Sequence, residues 1–235
     1  MDSTAFVTLT NNAYIPLTLN CIKTLEQIGC NKELKCFCID TDCYKIMKEK
    51  YNSNCVYMVP NIEHVFSEMP GFRTENWNKV VINKFNVIYD NLQTHKYVLF
   101  TDGDIVYEKD GFIEYCIETI EKENVDMLIQ NDGNNNTTRN NLCSGFMFIK
   151  STETTMNFFN PKFINIDEFK CDQIYINQKY KHFNVKMHVL PVELFPNGGY
   201  YKQHPDIKDN FMIHFNWCGG EQKIRWMKNC KKYYI

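Results

Sequence analysis

The fold is decided by one stretch of this chain, residues 97–104, which read YVLFTDGD. The apolar run at its start, residues 97–100, predicts a buried strand that leads directly into Asp102 and Asp104. Residues i and i+2 point to the same side of an extended backbone, so the two carboxylates can converge and would repel each other without a cation between them. Gly103 would let the backbone approach a ligand closely. The stretch therefore predicts a metal site at the carboxyl end of a strand, where open α/β sheets bind ligands.

The composition of the chain excludes some classes of protein. Its 235 residues are enough for one large domain, and 44% hydrophobic and 23% charged residues are ordinary for a globular protein. The formal net charge of −2 gives no sign of the basic surface that nucleic-acid binding requires. We therefore expect no nucleic-acid partner.

Eleven cysteines are many for a chain of this length. The first predicted strand begins by Ala5, which leaves no room for a signal peptide, and no apolar run reaches the roughly 18 residues of a membrane span. We therefore expect a cytoplasmic protein with reduced thiols. Cys36 and Cys38 are separated by one residue, too few for the usual paired zinc spacing, so a zinc site is not favoured.

Strands and helices alternate over the first 130 residues. The hydrophobic pattern predicts strands at 5–10, 35–39, 55–59, 97–100 and 126–130. Apolar residues at helical spacing predict helices from Leu17 to Ile28, at 43–51, from a cap at Thr74 to Leu92, and at 111–123. The apolar stripe of the third helix consists of Trp77, Val81, Phe85, Ile88 and Leu92. This order predicts an α/β fold with a doubly wound, mainly parallel sheet.

Periodicity weakens beyond residue 130. Residues 132–141 are polar and rich in Asn, as expected of a loop at the mouth of a site. The later pattern predicts a strand at 144–149, a helix at 172–181, a turn at 195–199, a short strand at 211–215 and a basic C-terminal helix after Gly219 and Gly220. The sequence contains no repeat or linker, so we expect a single domain.

A second group of candidate residues lies between His214 and Lys223. His214 ends an apolar strand, and taken alone it is more simply interpreted as a core histidine bonded to a backbone carbonyl. However, a glycine-rich turn that enters a helix exposes backbone N–H groups, and Lys223 adds a positive charge, which together suit a diphosphate. His214 would then complete a cation site with Asp102 and Asp104.

Together these motifs resemble the GT-A nucleotide-sugar-dependent glycosyltransferases. The nearest pattern is that of the nucleotide-diphospho-sugar transferases, which include plant cell-wall xylosyl- and arabinosyltransferases and viral relatives. In chain order, the matching segments are 8–11, 76–84, 102–104, 144–147, 172–173 and 214–223. The resemblance implies one GT-A, Rossmann-like domain over 1–235, with a nucleotide-binding half at 1–130 and an acceptor- and metal-completing half at 131–235.

The resemblance also implies a role for each matching residue. Mn²⁺ or Mg²⁺ would bind Asp102, Asp104 and His214. The nucleotide and its diphosphate would contact Thr8, Thr10, Asn11, Asp40, Lys84, Asp102, Gly103, Asn216, Gly220 and Lys223. The donor sugar would contact Asp132, Gly145 and Asp172, and the catalytic pair would be Asp172 and Gln173. Cys143 departs from the family, whose members usually carry Asn at that position.

The implied reaction moves a sugar from a nucleotide-diphosphate sugar, with UDP favoured, to a glycan, protein or small-molecule acceptor, with retention of configuration. Positive charge develops at the anomeric carbon and negative charge on the departing diphosphate. A divalent metal and Lys223 would stabilise that negative charge as it develops, and so would lower the barrier.

Several of these residues have simpler interpretations. The pair at 172–173 could cap a helix, and Lys84 could extend along the apolar stripe of its helix towards solvent. Thr8 and Thr10 alternate with apolar residues and could face solvent. Trp217 is expected in the core or as a platform for the acceptor.

Two other functions fit part of the pattern. An apolar strand followed by Asp102 and Asp104 also occurs in haloacid-dehalogenase-like phosphatases, where the first aspartate is the nucleophile. That motif normally opens the domain, whereas residues 1–96 precede it here. The other alternative is a catalytically inactive GT-A domain that binds a sugar nucleotide without turnover.

Overall fold

The computed structural model describes residues 4–59, 75–133, 141–165, 168–169 and 171–235, with the side chains of the helix that begins at Glu75 described from Ile82 onward. The strands, in chain order, are β1 (Thr4–Thr10), β2 (Lys35–Cys38), β3 (Val56–Met58), β4 (Tyr97–Thr101), β5 (Ile105–Tyr107), β6 (Met127–Asn131), β7 (Leu142–Lys150), β8 (Met187–Val189) and β9 (Met212–His214).

Seven of these strands form one sheet in the order β3-β2-β1-β4-β7-β6-β8. Strand β7 runs antiparallel to both of its neighbours, and the remaining pairs are parallel. The predicted mixed, mainly parallel sheet is therefore confirmed. Because β7 joins β4 to β6, the first and second halves of the chain share one sheet within a single domain.

Helices cover both faces of this sheet. They are α1 (Ile15–Gln27), α2 (Thr41–Lys50), α3 (Glu75–Leu92), α4 (Phe112–Lys122), α5 (Glu153–Phe159), α6 (Asp172–Lys179), α7 (Gly198–Gln203) and α8 (Glu221–Asn229). One buried cluster, which includes Phe6 and Phe112, packs against α1 and α4, and a second, which includes Phe85 and Tyr175, packs against α3 and α6. No helix in the described ranges is long and apolar enough to cross a membrane.

A second, two-stranded sheet brings the end of the chain to the carboxyl end of β4. Strands β5 and β9 pair antiparallel with Ile105 opposite His214. The backbone N–H of Phe215 donates to the carbonyl of Asp104 at 3.0 Å and extends this pairing by one bond. This long-range contact places His214 beside the carboxylates that follow β4.

The structure confirms the alternation of strands and helices and shows elements that the sequence pattern did not predict, namely β5, β8, α5 and α7. Two of these are three-residue strands, too short to show a period of two. The turn predicted at 195–199 is wrong in its second half, because Asn197 accepts the N–H of Tyr200 and caps α7.

Some sequence expectations fall outside the described residues. They are the cap at Thr74, the side chains of Trp77 and Val81, and the loop residues 134–140. Phe85, Ile88 and Leu92, the rest of the α3 stripe, are buried as expected. All eleven cysteines have free thiols, as predicted.

Candidate functional site

Three potential metal ligands converge beyond the carboxyl end of β4. Asp102, Asp104 and His214 each offer a ligand atom, and these atoms lie within 4.8 Å of one another. His214 Nε2 lies 3.2 Å from Asp104 Oδ1 and 3.9 Å from Asp102 Oδ2. Asp104 and His214 are buried, whereas the Asp102 side chain retains 35% of its exposure and can face a ligand.

Gly145 makes room for this cluster. Its carbonyl accepts the Asp102 N–H at 2.7 Å, which fixes the start of the turn. A Cβ at position 145 would collide with the His214 ring and lie 2.8 Å from Asp102 Oδ2. The glycine at this position is therefore required by the space that His214 and Asp102 occupy.

Gln130 orients the imidazole of His214 from behind. Its amide Nε2 donates to the carbonyl of Phe195 at 3.1 Å, which leaves Oε1 to accept from His214 Nδ1 at 2.8 Å. With the proton fixed on Nδ1, Nε2 is the ring nitrogen that faces the carboxylates. A register shift between Ile129 and Gln130, where β6 pairs with β7, accompanies this placement of Gln130.

Two lysines, Lys84 buried and Lys223 partly buried, pair with the carboxylates. Lys223 pairs with Asp104 Oδ2. Lys84 lies 3.2 Å from Asp102 Oδ1 and 2.5 Å from Asp172 Oδ2. The alternative of a solvent-directed Lys84 is therefore wrong: three carboxylates and two lysines form one buried charge network, and burial favours such pairing over isolated charges.

The charges in this network shift one another's pKa values. Burial alone would disfavour every charged form, but Lys223 and His214 hold the pKa of Asp104 well below its usual range. Burial also opposes protonation of His214, yet the carboxylate of Asp104 raises its pKa well above the usual value. Burial raises the pKa of Asp102, although Lys84 opposes the shift. The pair of carboxylates thus needs positive charge beside it.

Asp172, at the first position of α6, is held through one of its oxygens. Ser144 Oγ donates to Asp172 Oδ2 at 2.8 Å, and Lys84 contacts the same oxygen. Oδ1 takes part in neither contact. Asp172 is therefore more than a helix-capping acid: α3, β7 and α6 fix it beside Asp102 through Lys84.

A fourth carboxylate, that of Asp132, is surrounded by neutral donors. Oδ1 accepts from Asn216 Nδ2 and Trp217 Nε1, each at 2.9 Å. Oδ2 accepts from Gln173 Nε2 and Asn141 Nδ2, each at 3.1 Å. We call this group of five residues the Asp132 hub. A carboxylate has about four lone-pair sites, so these four donors use its acceptor capacity. The predicted contact of Asp132 with the donor sugar stays a prediction.

Two of the residues predicted to contact the nucleotide, Asn11 and Asp40, follow the ends of β1 and β2. Asp40 caps α2 and accepts the backbone N–H groups of Cys43 and Asn12, each at 2.7 Å. Asn11 is buried and accepts the N–H of Tyr14 at 3.0 Å. These contacts fix the loop after β1, and the predicted nucleotide contacts of Asp40 and Asn11 stay predictions.

Thr8 and Thr10 are both buried, so the alternative that they face solvent is wrong. Thr10 Oγ1 accepts from Thr18 Oγ1 of α1 at 2.9 Å. Thr8 Oγ1 has no hydrogen-bond partner among the residues that the structure describes. Both side chains lie on the face of β1 towards α1, because residues two apart share a face.

Two glycines of the predicted site are required by the structure, one for packing and one for its backbone conformation. Gly103 was expected to admit a ligand, but a Cβ there would lie 2.6 Å from Thr18 Oγ1, so the glycine is needed for packing on α1. Gly220 begins α8 at φ +51° and ψ −134°, a backbone conformation that favours glycine. Gly220 and Lys223 thus belong to one helix start near the carboxylates, as predicted.

Sequence reasoning missed Gln130, Ser144 and the hub contacts of Asn141. Gln130 did carry a signal, because it is a polar residue in the otherwise apolar run of β6. The expected core position of Trp217 is wrong, since 53% of its surface is exposed.

The three converging side chains fit a divalent cation. Two carboxylates and one imidazole nitrogen are a ligand set that suits Mn²⁺ or Mg²⁺. Gly145 allows this convergence, because a Cβ there would collide with His214 Cε1 and lie 2.8 Å from Asp102 Oδ2. A cation bound by Asp102, Asp104 and His214 would require His214 Nε2 to be unprotonated, because metal ligands bind in their deprotonated form.

Comparison with known sequences is consistent with this chemistry. The sequence model of a family described as nucleotide-diphospho-sugar transferase matches residues 33–227. The UDP-galactose:fucoside alpha-3-galactosyltransferase of Dictyostelium discoideum is 24% identical over 269 aligned residues, which cover 92% of this chain and 40% of that protein. The chain thus spans two-fifths of the length of that curated relative.

Three solved structures share the fold at low sequence identity. A glycosyltransferase involved in glycosylation of the major capsid of PBCV-1 has a TM-score of 0.58 at 11% identity, over 97% of this chain and 99% of that one. Mouse xyloside xylosyltransferase 1 gives 0.55 at 10% identity, over 91% and 98%. The galactosyltransferase LgtC gives 0.54 at 8% identity, over 98% and 96%. These likenesses show the predicted GT-A fold.

Proposed function

Because this chain belongs to the nucleotide-diphospho-sugar transferase family, we propose that it transfers a sugar from a nucleotide-diphosphate sugar to an acceptor hydroxyl. The observation that carries the proposal is the buried network at the end of β4, where Asp102, Asp104 and His214 converge beside Lys84 and Lys223. Mn²⁺ or Mg²⁺ is the proposed cofactor at the first three residues. When bound, it supplies positive charge that stabilises the departing diphosphate.

The residues of the chain divide the remaining work. Lys223, in the first turn of α8, provides a second positive charge for the diphosphate, beside the helix N-terminus that follows Gly220. Gln130 accepts a hydrogen bond from the ring of His214, and the absence of a Cβ at Gly145 leaves room for that ring. These groups are fixed before the substrate binds, so little reorganisation is needed as charge develops.

The donor sugar is proposed to lie against Asp172. Lys84 and Ser144 both hold Oδ2, which orients Oδ1 for a sugar hydroxyl or for the anomeric carbon. Asp172 would thereby stabilise positive charge at the reacting carbon, with Gln173 beside it on α6. Retention of configuration is proposed on the family resemblance, and the anomeric signal of the product in proton NMR tests it.

UDP is the favoured nucleotide. Support comes from the curated relative, which is described as using UDP-galactose and acting on a fucoside. The base and ribose are proposed to lie near Asn11 and Asp40, at the ends of the two strands that precede β4 in the sheet order. Galactose is the first donor sugar to test.

A binding and turnover panel tests the function. The chain is titrated calorimetrically with UDP- and GDP-sugars, with and without Mn²⁺, and release of nucleoside diphosphate is followed with water or glycosides as acceptor. We expect metal-dependent binding and turnover of at least one UDP-sugar, both lost in Asp104→Ala.

Two outcomes would replace the proposal. Phosphomonoester hydrolysis that is abolished by Asp102→Asn, without release of a nucleoside diphosphate, would favour the phosphatase alternative. Metal-dependent binding of a nucleotide sugar without any release of nucleoside diphosphate would favour a non-catalytic binding domain.

A further inference from the structure

Trp217 is a large aromatic residue that the fold keeps exposed beside the site. More than half of its surface, 53%, is in contact with solvent. Its backbone φ is +63°, a left-handed conformation that costs a bulky residue on the order of 1–3 kcal/mol. Apolar burial and backbone preference both oppose this placement, and strained residues of this kind cluster at functional sites.

The edge of the ring is fixed while its face remains available. The indole N–H donates to Asp132 Oδ1 at 2.9 Å, so its one polar group is already used. Asp132 Oδ2 accepts from Gln173 at 3.1 Å, which places the indole edge one carboxylate away from the proposed catalytic pair. In sequence, Trp217 lies between His214 and Lys223. The ring thus borders the site on the side of Gln173.

We propose that the exposed face of Trp217 is the acceptor platform and that the acceptor is a saccharide. This inference rests on the proposed glycosyl transfer and adds the acceptor class to it. One face of a pyranose ring consists largely of C–H groups, so it removes apolar indole surface from water, while the hydroxyls at the ring edge stay hydrogen-bonded. Because the indole N–H already donates to Asp132, the ring can bind a ligand only through its apolar surface. The apolar face of a sugar ring suits such a surface.

The variants separate the ring face from the indole N–H. Trp217→Leu removes both, whereas Trp217→Phe keeps an aromatic face and loses only the donor to Asp132. Phe163, at the end of a short helical turn after α5, is 59% exposed and provides the matched control Phe163→Leu. All variants are made in the full chain, and nucleotide affinity is measured in each.

Two readouts are used. First, the ¹⁵N-labelled chain has three tryptophan indole signals, and the one missing from Trp217→Phe is assigned to Trp217. Methyl pyranosides are added in the presence of UDP and Mn²⁺, and movement of that signal reports contact with the ring. Second, the acceptor KM is measured for the pyranosides that move it.

We expect pyranosides to move the Trp217 signal, and Trp217→Leu to raise the acceptor KM about tenfold. Trp217→Phe should raise it less than about threefold, since an aromatic face remains. Phe163→Leu should leave it unchanged, and donor affinity should stay constant in all three.

The inference is overturned if no pyranoside moves the signal, or if Trp217→Phe and Trp217→Leu raise the KM equally, because loss of the indole donor alone would then explain the effect. If the wild-type chain binds no nucleotide sugar but pyranosides still move the signal, the proposed transfer fails and the saccharide site stands.

Discussion

Asp104 and Asp132 lie in one site, yet their negative charges are neutralised in opposite ways. Asp104 pairs with Lys223, which is a cation, and with the titratable ring of His214. Asp132 accepts hydrogen bonds from three side-chain amides and one indole, none of which carries a charge. A carboxylate that lies beside a lysine and another potential ligand can also hold a metal ion, whereas four neutral donors hold a carboxylate in one geometry. We therefore propose that the metal and diphosphate bind at Asp102, Asp104, His214 and Lys223, here called the Asp104 region, and that the Asp132 hub has a positioning role.

Two glutamines make the same contrast. Gln130 bonds to His214 and so acts on the Asp104 region. Gln173 bonds to Asp132 and belongs to the hub. Each region thus offers an aspartate and a glutamine to vary, which gives matched pairs of variants for testing whether the two regions are independent.

The largest expected effect is that of Asp104→Asn. The substitution keeps the side-chain shape and removes the charge that a divalent cation needs. Loss of several kcal/mol of charge stabilisation should lower kcat/KM by about a thousandfold and abolish high-affinity Mn²⁺ binding. Free Mn²⁺ measured by electron paramagnetic resonance and steady-state kinetics check this. Asp132→Asn is the control, and equal loss of Mn²⁺ affinity in both variants would contradict the separation of the two regions.

The next largest effect is expected for Gln130→Met. Methionine lacks the amide oxygen, Oε1 of Gln130, that accepts the hydrogen bond from His214 Nδ1. The His214 ring is then no longer fixed with Nε2 towards the carboxylates. Loss of such a supporting contact typically weakens metal affinity by about 10–100-fold. Gln173→Met should leave Mn²⁺ affinity within about twofold, because Gln173 contacts no member of the metal cluster in the described residues. Mn²⁺ titration of both variants in the absence of nucleotide decides the point.

The sequence was sufficient for the part of the site that depends on local chain geometry. An apolar strand that ends in Asp102-Gly103-Asp104 and a glycine turn before Lys223 are short-range patterns, and the structure brings both together with His214. The alternating strands and helices of the first half follow from the same periodicity. The GT-A fold was therefore accessible from the sequence, with the family resemblance supplying the remainder.

Contacts between distant segments were not accessible in this way. Pairing of β5 with β9 involves two strands of three residues, and no local period indicates it. The register shift at Gln130 and the burial of Lys84 against Asp172 depend on which elements pack together, so the same residues had simpler local interpretations. Trp217 was expected either in the core or as a platform for the acceptor, and the sequence alone did not show its exposure or its hydrogen bond to Asp132.

A smaller effect, on folding stability, is expected for Asp132→Asn. An asparagine at this position directs its own NH₂ group at two of the four donors, which leaves partly buried N–H groups unpaired. The free energy of unfolding should fall by about 2–3 kcal/mol, measured by urea denaturation. Because the hydrogen bonds that fix the hub residues are weakened, the indole NMR signal of Trp217 should also broaden in this variant. An unchanged midpoint and an unchanged indole signal would show that the hub is not a fixed structure.

The smallest effect is expected for Ser144→Ala. Asp172 Oδ2 loses the hydroxyl at 2.8 Å but keeps Lys84 at 2.5 Å, so the carboxylate remains paired with a buried cation. One hydrogen bond of about 1 kcal/mol should lower kcat about fivefold, with little change in donor affinity. Lys84→Met is the comparison: it leaves the carboxylates of Asp102 and Asp172 buried without their shared cation, and should cost far more in both kcat and stability. If Ser144→Ala were the more damaging of the two, a neutral hydrogen bond would matter more to Asp172 than its ion pair with Lys84. The contrast between a charge-paired region and the hydrogen-bonded Asp132 hub would then be lost.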